Sequence, residues 1–480
     1  MQSMFIGVNS MMWDIKKYGR ATALIADTGE VLTYEELNNI SEVIGEKTRE
    51  RCLVFSLCTN TIGSVVGYVS FMQNNIVPVL LNAQLDRALL ENLMAAYCPR
   101  YIWVPEDMVK EFAGCEEVYK AYGYSLLKTA YNTEYPLYEE LALLLTTSGS
   151  TGSPKFVRQT YTNVLTNAKQ IAEYLELDST ERPVTTLPMN YTYGLSIINS
   201  HLLVGATILL TDKGLMTREF WQFMKEEKAT SVAGVPYTYE MLDKLRFFRM
   251  DLPYLRYMTQ AGGKLSPELH KKFAEYAIAN GKKFIVMYGA CEATARMGYL
   301  PADRSLEKYG SCGIAIPGGT FSLIDENDNI IDVADVTGEL VYEGPNVTMG
   351  YAECGEDLIK GDERNGRLAT GDMAKRDEDG FYFIVGRKKR FLKIYGNRVN
   401  LDEVDRLIKA EFNFIDCASA GVDDHMYIFV TDEDVIEPVR KFIADKTKLN
   451  HTAFNVIKIE EIPKNDAGKT LYKELTKYYE

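Results

Sequence analysis

Short apolar runs recur along the chain at 53–57, 76–81, 141–146, 206–210, 231–234 and 284–287, each bounded by turn residues. Helical patterns separate them, and strands apolar on both faces belong to sheets covered by helices. The expectation is therefore an α/β fold with buried sheets. Leu265-Ser266-Pro267-Glu268 reads as a helix start, with Ser266 as N-cap and Pro267 at the first helical position. Hydrophobic cores stop growing near 250–300 residues, so a chain of 480 implies two or more domains.

The pattern changes near residue 320. From there it reads as strand, turn and strand: 321–324, a turn at 325–329, 338–343, and 381–385 after Asp379-Gly380. The cationic run Arg387-Lys388-Lys389-Arg390 follows, and the residues beyond it are enough for a small α+β domain. The expected boundary falls at this run, giving a large domain over 1–388 and a small one over 389–480. A solvated charged linker would have the same composition.

The formal net charge of −14 argues against a nucleic-acid binder, which normally carries a basic field. It leaves room for a local basic patch that holds a phosphorylated ligand. Cys52, Cys58, Cys98, Cys115, Cys291, Cys312, Cys354 and Cys417 include no CxxC pair, and the four histidines do not cluster with them. That spacing suggests reduced thiols rather than a disulfide framework or a zinc site. Residues 1–14 show no secretory pattern, and the longest apolar runs fall far short of the ~20 residues needed to span a bilayer. A cytoplasmic protein without a membrane span is expected.

The most informative segment runs from Leu143 to Lys155. A buried strand ends in Thr147-Ser148-Gly149-Ser150-Thr151-Gly152-Ser153-Pro154 and closes on Lys155. Glycines let backbone N–H groups converge on an anion, hydroxyls add donors, and the lysine adds a point charge. The GxxxxGK[ST] spacing of a Walker A loop is absent. Similar composition also occurs in flexible surface loops, but here a strand precedes it and Pro-Lys follows.

This loop resembles the phosphate-binding signature of the adenylate-forming superfamily, which includes acyl- and aryl-CoA synthetases, peptide-synthetase adenylation domains and firefly luciferase. The family's other motifs follow in order over about residues 30–475. Met287-Tyr288-Gly289-Ala290-Cys291-Glu292 is similar to its aromatic–Gly–x–Thr–Glu element, with Cys291 at the usual threonine and Thr294 close by. Gly338-Glu339-Leu340, the 344–351 stretch Gly-Pro-Asn-Val-Thr-Met-Gly-Tyr, Thr370-Gly371-Asp372, Asp379-Gly380-Phe381 and Gly386-Arg387 come next. Pro463-Lys464-Asn465-Asp466-Ala467-Gly468-Lys469 resembles the closing motif.

The resemblance implies ATP and Mg2+ as cofactors and assigns roles to residues. Residues 147–152 and Lys155 would hold phosphates, and Tyr288 and Gly289 would lie near adenine. Glu292 would hold magnesium, while Asp372 and Arg387 would bind ribose. A carboxylate suits the ribose diol because it is acceptor-only when ionised. Lys469 would reach the α-phosphate and the substrate carboxylate. Lys389 occupies the hinge position, and Lys393, Tyr395 and Gly396 lie on the segment that would face a thiol after the small domain rotates. The implied fold is a large domain of α/β subdomains plus a β-rich subdomain, with a small mobile α+β C-terminal domain.

The implied reaction is adenylation of a small carboxylic acid and acyl transfer to a thiol, either coenzyme A or the phosphopantetheine of a separate acyl or peptidyl carrier protein. Leu187-Pro188-Met189-Asn190-Tyr191-Thr192-Tyr193-Gly194-Leu195 resembles the segment opening the acyl pocket, with Tyr191 at the usual histidine. No aspartate occurs between Pro188 and His201 to pair with an α-ammonium, which favours an acid without one. The pocket is expected to include Asn190, Tyr191, Tyr193, Gly234, Ala261, Gly262, Gly263, Tyr288 and Met297, although the two tyrosines would also serve as packing at a helix start. Two other readings are an adenylation domain loading an amino or hydroxy acid onto a carrier, and a nucleotide-binding module without catalysis.

Overall fold

The computed structural model describes residues 12–131, 135–146, 155–394, 397–412, 415–447, 449–464 and 470–479. The chain divides into two compact units, Met1–Thr320 with Glu343–Leu368, and Phe321–Tyr342 with Ala369–Glu480. Among the described residues the first unit contains two large mixed sheets. One has Lys283–Tyr288, Tyr257–Gln260, Ser231–Gly234, Pro183–Val184, Ile208–Leu210 and Thr22–Ala26 as successive parallel neighbours. The other has Leu141–Thr146, Val77–Asn82, Leu53–Cys58 and Tyr101–Pro105 as its parallel centre, with antiparallel strands outside.

Burial explains why these runs are mostly apolar on both faces. Val54 and Leu80 enter one core together with Leu24 and Ile208 of the other sheet. Their neighbours Leu53, Phe55, Val77 and Val79 pack on the opposite face with Leu90, Leu93 and Tyr97 of the helix Arg87–Tyr97. Successive residues thus serve two different cores, as the pleat requires. The helices Ile62–Gln73 and Thr192–Val204 contribute to the shared core and are buried along nearly their whole length, so neither shows a polar face. The helix Pro267–Ala279 starts as its sequence suggests, with the Ser266 hydroxyl accepting from the Leu269 N–H at 3.2 Å.

The second unit holds a four-stranded sheet in the order Thr320–Ile324, Gly338–Glu343, Arg367–Arg376, Tyr382–Arg387. It also holds the hairpin of Phe391–Ile394 and Asn397–Asn400, and a three-stranded sheet of Cys417–Val422, His425–Val430 and Phe454–Lys458 packed on the helices Leu401–Glu411 and Ile436–Thr447. Among the described residues no helix is long and apolar enough to cross a membrane.

Candidate active site

The strand Leu141–Thr146 pairs antiparallel with Phe156–Thr160, and Thr146 and Phe156 form the last described rung before the loop. Thr147, Ser148, Gly149, Ser150, Thr151 and Gly152 lie outside the described residues. Lys155 is described, and its ammonium sits 3.8 Å from the centroid of the Tyr351 ring. The Tyr351 hydroxyl donates to Glu292 Oε1 at 2.7 Å. The structure therefore brings Lys155 and Glu292, 137 positions apart in the numbering, to the two faces of one tyrosine's chemistry, its ring and its hydroxyl.

Arg364, which no sequence pattern marked, joins them. Its guanidinium lies 4.7 Å from the same ring centroid, and Nη1 donates to the Glu292 carbonyl at 3.1 Å and to Thr348 Oγ1 at 2.5 Å. Burial, and then the charge of Glu292, pushes the Tyr351 phenol up to about 12. The phenol therefore remains a donor throughout the neutral range.

Backbone anchoring holds this cluster in place. The Thr348 N–H and hydroxyl both donate to the Glu292 carbonyl at 3.0 Å. Asn346 Nδ2 donates to the carbonyls of Ala293 and Arg296 at 2.8 and 3.0 Å. Arg158, with a side chain 0% exposed, donates from Nε to the Tyr351 carbonyl at 3.0 Å and also reaches the carbonyls of Met349, Lys360 and Gly361 and the carboxylate of Glu363. Gly289 permits a close approach: a Cβ there would lie 1.7 Å from the Ala295 carbonyl oxygen. Cys291, at the family's usual threonine, directs its thiol toward the Thr146 carbonyl at 3.7 Å. The Thr294 hydroxyl donates to the Asn346 carbonyl at 2.7 Å, so that donor is engaged in holding the backbone.

Among the described residues no group of three or more His, Cys, Asp and Glu side chains could hold a metal ion. Glu292 offers one carboxylate, oriented by Tyr351. This fits magnesium, which keeps several waters and is bound by one or two carboxylates plus substrate phosphates rather than by an all-protein cage.

The expected acyl wall lies where three neighbouring parallel strands end: Gly234 pairs with Gln260, which pairs with Val286 just before Tyr288. Ligands in open α/β sheets bind at such carboxyl ends. Ala261, Gly262 and Gly263 follow Gln260 directly. Gly262 has φ +84°, and a Cβ on it would stand 2.7 Å from the Tyr191 hydroxyl oxygen. Tyr191 and the partly exposed Asn190 precede the helix Thr192–Val204. Tyr193 is buried, and its hydroxyl donates to Thr259 Oγ1 at 2.8 Å. Met297 is fully buried, and its N–H donates to the Tyr288 carbonyl at 2.8 Å.

In the second unit, Asp372 and Arg387 face each other across the hairpin of Arg367–Arg376 and Tyr382–Arg387, and Arg387 Nε reaches Asp372 Oδ1 at 3.1 Å. Nearby, Lys388 pairs with Glu339 at 2.6 Å, and Glu339 Oε1 accepts from the Gly371 N–H at 3.2 Å. Arg390 is buried, pairing with Asp402 at 2.7 Å and Asp405 at 2.8 Å beneath the ring of Tyr472. Within the cationic run Arg390 is therefore buried structure rather than solvated linker, whereas Arg387 and Lys388 stay exposed while pairing with Asp372 and Glu339. Lys389 lies in the single turn Lys388–Arg390, and Lys393 pairs with Arg398 in the backbone register of its hairpin. Tyr395, Gly396 and Lys469 lie outside the described residues, although Lys464 and Thr470 on either side of 465–469 form an antiparallel bridge. Lys464 is paired with Asp416.

Residues 12–352 match the family described as AMP-binding enzyme. A 4-coumarate–CoA ligase-like protein of Arabidopsis thaliana is 27% identical over 361 residues, 71% of this chain and 63% of that protein. The 2-succinylbenzoate–CoA ligase of Bacillus mycoides is 28% identical over 352 residues, 71% of each. Among solved structures, O-succinylbenzoate coenzyme A synthetase from Bacillus subtilis in complex with AMP shares the fold with a TM-score of 0.78 and 19% identity, covering 96% of this chain and 97% of that one. The anthranilate CoA ligase AuaEII in complex with anthranoyl-AMP has a TM-score of 0.77 and 19% identity over 100% of this chain and 99% of that one. This chain spans 63–64% of the length of several plant CoA ligases and ligase-like proteins that it matches. The fold over nearly the whole chain, the family match and the motif order agree: the chain belongs to the AMP-binding enzyme family, within the adenylate-forming superfamily.

Proposed function

We propose that the protein is an AMP-forming carboxylate–thiol ligase, activating a small carboxylic acid with ATP and transferring the acyl group to coenzyme A. The carrying observation is the convergence of Lys155 and Glu292 on Tyr351, beside the strand pair that leads into the 147–154 loop. Attack of a carboxylate on the α-phosphate brings two anions together, so rate depends on cations placed where charge develops. In this reading, Lys155 and residues 147–152 steady the departing pyrophosphate. Glu292 holds magnesium, which supplies charge neutralisation on the phosphates, and Tyr351 keeps the carboxylate aimed. Asp372 accepts from the ribose hydroxyls with Arg387 beside it, Tyr288 and Gly289 adjoin adenine, and Lys469 aligns the reacting oxygens.

For the second half-reaction we place the domain boundary at 388–389, with Lys389 as the hinge residue and 389–480 as the mobile part. Rotation then presents Lys393, Tyr395 and Gly396 to the thiol. The acyl pocket comprises Asn190, Tyr191, Tyr193, Gly234, Ala261, Gly262, Gly263 and Met297. A cytoplasmic location belongs to the same proposal, resting on cysteine spacing suited to a reducing compartment.

The test is magnesium- and ATP-dependent pyrophosphate release over a panel of fatty, aryl, dicarboxylic and amino acids, with and without coenzyme A. A coenzyme A thioester in the mass spectrum supports the ligase reading. Acyl-AMP without thioester points to a separate carrier protein as acceptor. No release with any acid refutes the reading.

A further inference from the structure

Arg296 is 3% exposed, and its contacts are all to neutral groups. Nε donates to Ser196 Oγ at 3.2 Å, and Nη1 donates to the Tyr174 hydroxyl at 2.9 Å and approaches Met287 Sδ at 3.3 Å. The Tyr193 ring lies 5.2 Å from the guanidinium carbon. Both phenols are raised above their ordinary value by burial, so neither supplies a negative charge at neutral pH. Among the described residues no carboxylate pairs with this guanidinium, and Nη2 has no hydrogen-bond partner. An arginine cannot discharge by losing its proton, and a buried cation without a counter-charge is strongly disfavoured.

The same guanidinium lines a small cavity with His201, Ser231, Ala233, Tyr257 and Thr259. Burial lowers His201 to about 4, so at neutral pH the imidazole is uncharged and Arg296 is the charged member of that lining. The cavity adjoins the proposed acyl wall through the chain itself. Ala233 precedes Gly234, Thr259 lies two residues before Ala261 on the neighbouring strand, and Met297 follows Arg296. Tyr193 connects the two, touching Arg296 with its ring and Thr259 with its hydroxyl.

We propose that the acid activated by this protein carries a second carboxylate at its far end, and that Arg296 receives it. The inference rests on the ligase reading and specifies the substrate class for that site. A distal carboxylate supplies the counter-charge that the protein withholds, and the guanidinium fork can hold it through two parallel hydrogen bonds. A monocarboxylic acid of the same length would place an apolar end against an uncompensated cation, which selects against it as well as failing to attract it.

The experiment measures kcat/KM for pyrophosphate release with matched aliphatic and aryl acids, each with and without the distal carboxylate, for the wild type, Arg296→Met and Arg296→Lys. The wild type is expected to prefer the dicarboxylic member by a factor on the order of 10²–10³, the scale of a desolvated charge pair. Arg296→Met is expected to lose that preference while retaining activity on the monocarboxylic member, and Arg296→Lys to keep part of it. Equal or better turnover of monocarboxylic acids by the wild type overturns the inference and leaves the ligase reading intact. An unchanged selectivity ratio in a folded Arg296→Met protein overturns it too. If that variant does not fold, the wild-type ratio alone decides. No release with any acid overturns the ligase reading and this inference together.

Discussion

Replacing Tyr351 with phenylalanine isolates one atom. The ring remains, so Lys155 at 3.8 Å and Arg364 at 4.7 Å from its centroid keep their stacking partner. What disappears is the hydroxyl that donates to Glu292 Oε1 at 2.7 Å. Arg364 does not replace it, because its bond goes to the Glu292 backbone carbonyl. A hydrogen bond to a charged group contributes about 1.5–3 kcal/mol, which corresponds to roughly 10- to 100-fold in an equilibrium constant. Loss of the partner that orients a metal ligand carries a similar penalty of about 10–100-fold in metal affinity. The expected result is a magnesium requirement for adenylation raised about 10-fold or more, with little change in turnover at saturating magnesium.

The assay is a magnesium titration of pyrophosphate release, paired with calorimetry of magnesium–ATP binding so that affinity is read without turnover. Since the phenol is pushed up to about 12, the wild-type donor does not titrate below that. The difference between the two proteins should therefore stay flat from about pH 6 to about pH 9. An unchanged magnesium requirement in a folded variant would refute the view that Tyr351 aims Glu292.

Three further outcomes follow from the same structure. Lys469→Ala is expected to slow acyl-AMP formation by about 10²–10³ with an unchanged melting curve, the scale of losing one preorganised electrostatic contact; near-normal adenylation removes Lys469 from that role. Lys389→Pro is expected to leave acyl-AMP formation intact and block thioester formation, and equal loss of both steps, followed by mass spectrometry, counts against rotation about that residue. His201 and His270 are both held down to about 4 by burial, below the ordinary value near 6.5, so the unfolded chain binds more protons between those values. Stability is therefore full above about pH 6.5 and falls with acid by up to about 1.4 kcal/mol per pH unit for each histidine, and urea unfolding of His201→Gln and His270→Gln should show a shallower acid slope.

Much of the fold was visible in the sequence where burial is two-sided. The runs at 53–57, 141–146 and 231–234 are strands because both their faces are buried, so apolar residues fill nearly every position and the exceptions, Ser56, Thr146 and Ser231, are small hydroxyl residues. The strand Arg367–Arg376 has no clear alternation in the sequence, because its burial is irregular, it carries Arg367, Thr370, Lys375 and Arg376, and one of its buried positions is the charged Asp372. The site divides in the same way. Lys155, Glu292, Asp372 and Arg387 sit in motifs with local order, and their residue types suit anions, metals and diols. Arg364 lies in a run, Asp362-Glu363-Arg364-Asn365, that reads as solvated surface. Arg158 and Arg296 are buried by contacts with segments far away in the chain, and no local pattern distinguishes them from surface arginines. Lys388 and Arg390 look like linker charge until their carboxylate partners, Glu339 and Asp405, are placed in space.

Arg158 fastens the stretch from Met349 to Gly361 through main-chain oxygens, which every residue type possesses. Tolerance to substitution should therefore be lopsided. The clasped stretch can exchange exposed side chains freely, since none of them supplies those four acceptors, whereas the clasp itself has no chemical equivalent: lysine offers three donors on a single nitrogen, too compact to span so many oxygens. In a saturation library, position 158 should appear as an isolated intolerant site facing a permissive segment. Such an asymmetry separates a residue that supports the backbone of Tyr351 from one that reads its side chain.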